Sequence, residues 1–139
     1  MISLKQQHIS KGFLIAGIMN IFGVLIFSRV FTNEVISEYD AIVMSNFGLL
    51  MIIVWGFAYI SVAKNYKNVP WLIAVFAVEK LIYGYVWIQW LLNNNLSEVY
   101  EKDMMAGIFY TIYGINDWLF CIFFSVVFWK VYTKKLPKQ

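Results

Sequence analysis

Four stretches of this chain run for twenty residues or more with almost no charge: about 12–31, 41–63, 70–92 and 104–132. A hydrocarbon core about 30 Å thick is crossed by about 20 apolar residues in a helix rising 1.5 Å per residue. Strands of a membrane barrel are about ten residues long and alternate in polarity; these blocks are longer and apolar throughout. Inside lipid every backbone N–H and C=O must be satisfied within the protein, which leaves the helix as the structure for such a block. The expected fold is all-α, an integral membrane protein built as an antiparallel four-transmembrane-helix bundle. Composition agrees: 14% of the 139 residues are charged, against about 25% in a soluble domain. That excludes a soluble globular domain, a disordered chain and a free nucleic-acid binder.

Local signals mark where the helices start. Pro70 suits a first turn, where a missing N–H costs nothing. Asp40 and Asp103 precede apolar runs, where a carboxylate accepts from unpaired N–H groups. The connections are about five to ten residues long, so consecutive helices are expected to be antiparallel neighbours in one domain spanning 1–139. The first block reads as a retained anchor, because it is long for a signal peptide and Phe27-Ser28-Arg29 offers no small-x-small cleavage site.

Charge sets the expected orientation. Lys5, Lys11, Lys64, Lys67, Lys130, Lys134, Lys135 and Lys138 lie at the two termini and in the second loop, with no acid among them. The first and third loops carry Arg29 and Lys102 against Glu34, Glu38, Asp40, Glu98, Glu101 and Asp103. Basic residues near span ends stay on the cytoplasmic side, so both termini are expected there. The membrane is read as a bacterial inner membrane. Trp71 and Trp129 near the inner boundary, with Trp87 and Trp90 near the outer, fit belts of interfacial aromatics.

Three ionisable groups remain inside the apolar blocks: Glu79, Lys80 and Asp117. Such groups are costly in a bilayer and normally face the bundle with a partner. Glu79 is nine residues past Pro70, roughly 14 Å deep at 1.5 Å per residue. Asp117 is twelve residues before Trp129, roughly 18 Å from the same side. Asn20, nine residues past Lys11, falls at the same level. Helical spacing puts Glu79, Tyr83 and Trp90 on one stripe, and Tyr110, Tyr113, Gly114 and Asp117 on another. Ala16, Gly17, Asn20 and Gly23 share a face whose small residues admit close packing. On the second block, Asn46, Leu50, Ile53 and Phe57 line up. The expected ligand or proton site therefore comprises Glu79, Asp117 and Asn20, with Tyr83, Tyr110 and Tyr113 toward the outside. The bland alternative is a structural ion pair between Lys80 and Asp117, with Asn20 and a tyrosine hydroxyl satisfying Glu79.

One histidine and one cysteine exclude disulfides within the chain and thiolate clusters, and they argue against bis-histidine haem, a zinc site and a Ser-His-Asp triad. No phosphate-cradling motif is present. No metal, cofactor or nucleic acid is expected. Length and span number are similar to those of small multidrug-resistance transporters in architecture alone: their essential membrane glutamate lies in the first helix, which here carries Asn20. The expected function is a non-enzymatic one, an interhelical site for a small amphipathic or lipid-like ligand within the lipid bilayer. Two alternatives stay open: a proton-coupled exporter, as a homodimer, and an accessory subunit or assembly factor bound to a membrane-protein partner. An intramembrane acid–base enzyme using Glu79 and Asp117 is a further one.

Overall fold

A computed structural model describes residues 6–135 of the chain. Lys5 and Lys138 lie outside the described residues, as does the side chain of Lys135. The described residues are all-α, with six helices: α1 (Gln6–Phe27), α2 (Glu34–Tyr39), α3 (Asn46–Val62), α4 (Pro70–Asn93), α5 (Leu96–Lys102) and α6 (Met104–Lys135). A 3-10 turn at Tyr66–Asn68 joins α3 to α4. Among the described residues α1, α4 and α6 are long and apolar enough to cross a membrane. Helix α3 is apolar but only 17 residues long, about 25 Å at 1.5 Å per residue.

The expected ends of the first two blocks shift for identifiable reasons. Helix α1 stops at Phe27 rather than near residue 31, because Arg29, Val30 and Phe31 turn left-handed at φ 48°, 55° and 67°. Side chains with a Cβ pay for that conformation, and here local bonds hold it. The Val30 N–H donates to the Leu25 carbonyl at 2.9 Å and the Phe31 N–H to Ser28 Oγ at 2.9 Å. Helix α3 begins at Asn46 rather than near residue 41. Asp40 Oδ1 first accepts from the Val43 N–H at 2.9 Å, and Ser45 then caps the helix by accepting from the Gly48 N–H at 3.1 Å. Two successive side-chain caps hold the intervening segment in a turn.

Helix α1 packs along α3, and α4 along α6, with the two pairs meeting more loosely. At the α1–α3 crossing Gly17 faces Gly56 so closely that a Cβ on Gly17 would lie 2.5 Å from the Gly56 carbonyl oxygen. Between α4 and α6, Trp87 packs against Gly114, where an added Cβ would come within 1.8 Å of its ring. Gly23, expected on a packing face, meets nothing within 4 Å. The buried face of α3 is Leu49, Ile53, Gly56, Tyr59 and Val62; Leu50 and Phe57, expected beside Ile53, are exposed.

Two hydrophobic cores result. One, at the lysine-bearing end, gathers Phe13, Tyr59, Phe76, Phe124 and Val127. The other, at the acidic end, gathers Val24, Ile53, Trp90, Phe109 and Tyr110. The short helices α2 and α5 cover the acidic end and bury Ile36 and Val99 completely. Trp71 and Trp129 are exposed, as an interfacial belt requires. Trp87 and Trp90 are not a belt: Trp90 is buried, stacked on Tyr110 with centroids 4.1 Å apart. Their indole N–H groups have inward partners, Trp87 donating to the Tyr110 carbonyl at 2.7 Å and Trp90 to that of Tyr39 at 3.1 Å.

Asp103 ties the acidic end together. It caps α6 by accepting from the Ala106 N–H at 2.8 Å. It also accepts from Asn33 Nδ2 at 2.8 Å and from the Arg29 guanidinium at 2.6 Å. Burial pushes its carboxyl up, but the Ala106 N–H, Asn33 and Arg29 together hold it below the usual carboxylate range.

Candidate functional site

The two cores are separated by a polar layer to which each long helix contributes. Asn20 of α1, Glu79 and Lys80 of α4, and Asp117 of α6 are all buried. Being consecutive, Glu79 and Lys80 leave the α4 axis about 100° apart and serve different neighbours. Lys80 Nζ donates to Asp117 Oδ1 at 2.6 Å and to Asn20 Oδ1 at 3.0 Å. Asn20 in turn donates through Nδ2 to the Ile52 carbonyl of α3 at 3.0 Å. Glu79 accepts from the Tyr59 hydroxyl. The Lys80 ammonium also lies 5.3 Å from the centre of the Tyr59 ring, within cation–π range.

The ion pair expected between Lys80 and Asp117 is present, and Glu79 and Asn20 share its layer. Asn20 serves Lys80, however, rather than Glu79. The tyrosine that satisfies Glu79 is Tyr59, which the spacing argument left out. Counted from the lysine end, its backbone is too shallow to reach Glu79. Helical side chains lean toward their own N-terminus, and for α3 that direction runs toward mid-depth. This lean was the signal available.

A cavity of about 80 Å³ opens on this layer, lined from α1, α3, α4 and α6. Glu79, Lys80, Asp117 and Asn20 form its polar floor, and Tyr83 and Tyr113 belong to its wall. Tyr110 does not line it. Its ring is fully buried in the acidic-end core and its hydroxyl donates to the Ile36 carbonyl at 2.6 Å, so it leaves the expected site. Asn116, which the stripe omitted, joins the wall. Two buried polar atoms at this cavity have no hydrogen-bond partner among the described residues, the Tyr113 hydroxyl and Asn116 Oδ1. Buried polar groups are nearly always paired, so a wall with one unpaired hydroxyl and one unpaired amide oxygen is suited to a polar guest.

Three of the cavity's lining residues, Met19, Ile112 and Asn116, also border an apolar groove of about 270 Å³ between α1 and α6. The groove continues along Ile115, Leu119 and Phe123. On the opposite side, Glu79 and Tyr83 border a second groove of about 280 Å³ between α3 and α4. Formal charge within the layer does not cancel: two carboxyl groups face one ammonium. The described residues contain no cluster of three or more His, Cys, Asp or Glu that could hold a metal ion. Comparison with protein-family models, curated proteins and solved structures finds no match for this chain, so the functional reading rests on the site's own chemistry.

Proposed function

We propose that this is a non-enzymatic multi-pass membrane protein that holds the polar group of a small amphipathic or lipid-like ligand at mid-depth. Four antiparallel helices cross the bilayer in this reading, with both termini cytoplasmic, in a bacterial inner membrane. The short α3 crosses by local thinning of the bilayer, a modest cost per ångström of mismatch. The lysines at one end and the acids at the other support the orientation.

The observation that carries the ligand reading is the cavity with two unpaired polar atoms beside a layer with one carboxyl in excess. Its volume suits a small polar group rather than a whole amphiphile, and the groove between α1 and α6 gives the apolar part a path to lipid. Glu79, Tyr113 and Asn116 supply acceptors and a hydroxyl donor, and the excess carboxyl favours a guest that brings a proton or a cation. Native mass spectrometry of the full chain from mild detergent tests this. The wild-type protein is expected to retain a small adduct that Glu79→Gln or Tyr113→Phe loses. An adduct-free wild type, or an adduct indifferent to both changes, would overturn it.

Proton-coupled export is the second reading, favoured because Glu79 stands between the central cavity and the groove on the α3–α4 side. It requires substrate-dependent proton flux in proteoliposomes; without flux, holding is the function that remains.

A further inference from the structure

At the opposite end from the acidic loops, a second cavity of about 270 Å³ is ringed by Lys67, Lys130, Lys134 and Asn68. Lys130 and Lys134 stand one turn apart on α6, on the same face, while Lys67 and Asn68 come from the 3-10 turn across from them. The base of the cavity is apolar, made by the buried side chains of Ile9, Tyr66 and Val131. No acid of the sequence lies in residues 1–33, 41–78 or 118–139, so no carboxylate side chain from those stretches competes for Lys67 or Lys134. Lys67 Nζ donates to Gln6 Oε1 at 2.5 Å, a neutral partner that leaves its charge uncompensated.

The geometry points to a binding site for the phosphate of an anionic lipid headgroup, separate from the mid-membrane cavity and independent of what that cavity holds. Depth identifies the source of the phosphate as lipid. Trp129 precedes Lys130 and is exposed, and Trp71 is exposed with its ring 5.6 Å from those of Phe128 and Tyr132. Exposed tryptophans of this kind sit at headgroup level, which places the lysine ring where a lipid phosphate lies. The apolar base then accommodates the glycerol and first methylenes. Basic pockets between helices are an established way to recognise acidic headgroups.

The test uses the full chain in mild detergent, titrated with phosphatidylglycerol or with phosphatidylcholine of the same acyl chains and read by native mass spectrometry. Phosphatidylglycerol is expected to bind in preference. Each lysine near an anionic headgroup is worth about fivefold in affinity, so Lys67→Gln with Lys134→Gln weakens binding about 25-fold. Lys67→Arg with Lys134→Arg retains it, and Lys11→Gln with Lys64→Gln, at the same end but outside the cavity, changes it less than twofold. Should the glutamine pair fail to fold by circular dichroism, Lys134→Gln alone carries the test at about fivefold. Undiminished binding in the glutamine variant overturns the site, as does equal loss in the Lys11 and Lys64 control. Displacement of the lipid by inorganic phosphate would show a free-anion site and overturn the lipid assignment.

Discussion

Lys80 of α4 ties in two helices directly and a third through Asn20, donating to Asp117 of α6 and Asn20 of α1, which itself donates to the Ile52 carbonyl of α3. Removing one partner of a buried pair strands the other's charge, at about 3–5 kcal/mol, whereas replacing both with apolar residues of similar volume is often neutral. Lys80→Met and Asp117→Asn are therefore each expected to lower stability by about that amount, and Lys80→Met with Asp117→Leu to recover most of it. Glu79→Gln should cost about 1 kcal/mol, since an amide oxygen still accepts from Tyr59. Unfolding titrations in detergent read this order directly, and Glu79→Gln as costly as Asp117→Asn would contradict it. At this scale the sequence was most informative where residues are intrinsically out of place. Glu79, Lys80, Asp117 and Asn20 announce themselves in an apolar helix. Tyr59 and Asn116 do not, because a tyrosine in a membrane helix is unremarkable until its lean is known, and Asn116 was hidden beside a more conspicuous aspartate. Tyr110 was misplaced for a related reason: its stripe is correct, but one helical turn separates the cavity from the acidic-end core.

Among the elements, the end of α1 is held to the start of α6 through Asp103. Its carboxyl titrates lower in the folded protein than in the unfolded chain, because the Ala106 N–H, Asn33 and Arg29 outweigh its burial. The sign follows: the stabilisation is fully present above about pH 5 and is lost as pH falls through the lower folded value. Asp103→Asn is expected to be less stable at neutral pH and to lose part of the acid-induced fall in melting temperature, and an unchanged acid profile would contradict the clamp. Apolar length located both ends of α4 to within a residue and the start of α6, which runs three residues past its expected end. It failed at the ends of the first two blocks, where apolar residues continue past the helix and the stop is made by the left-handed turn at Arg29–Phe31 and by the caps from Asp40 and Ser45. Val30 and Phe31 in that turn are residues that propensity would never assign there. The short helices α2 and α5 were invisible to an argument built on membrane thickness.

For the whole molecule, the segregation of charge and the layering of the core are two views of one arrangement. Lysines mark one end, acids the other, and between the two aromatic-rich cores lies the polar layer that composition made conspicuous. Whether α3 crosses decides the orientation of everything after it. In a Cys121→Ala background, Glu38→Cys is expected to react with a membrane-impermeant maleimide in intact cells and Lys67→Cys only after lysis; equal reactivity would place both on one side and remove the fourth crossing. The proposed site is tested most directly by a density map of the protein in lipid nanodiscs, at a resolution that separates water from ligand. The expected result is density beyond ordered water between Glu79, Tyr113 and Asn116, continuing as a chain between α1 and α6. Water alone in the cavity, with lipid density confined to the outer surface, would contradict it.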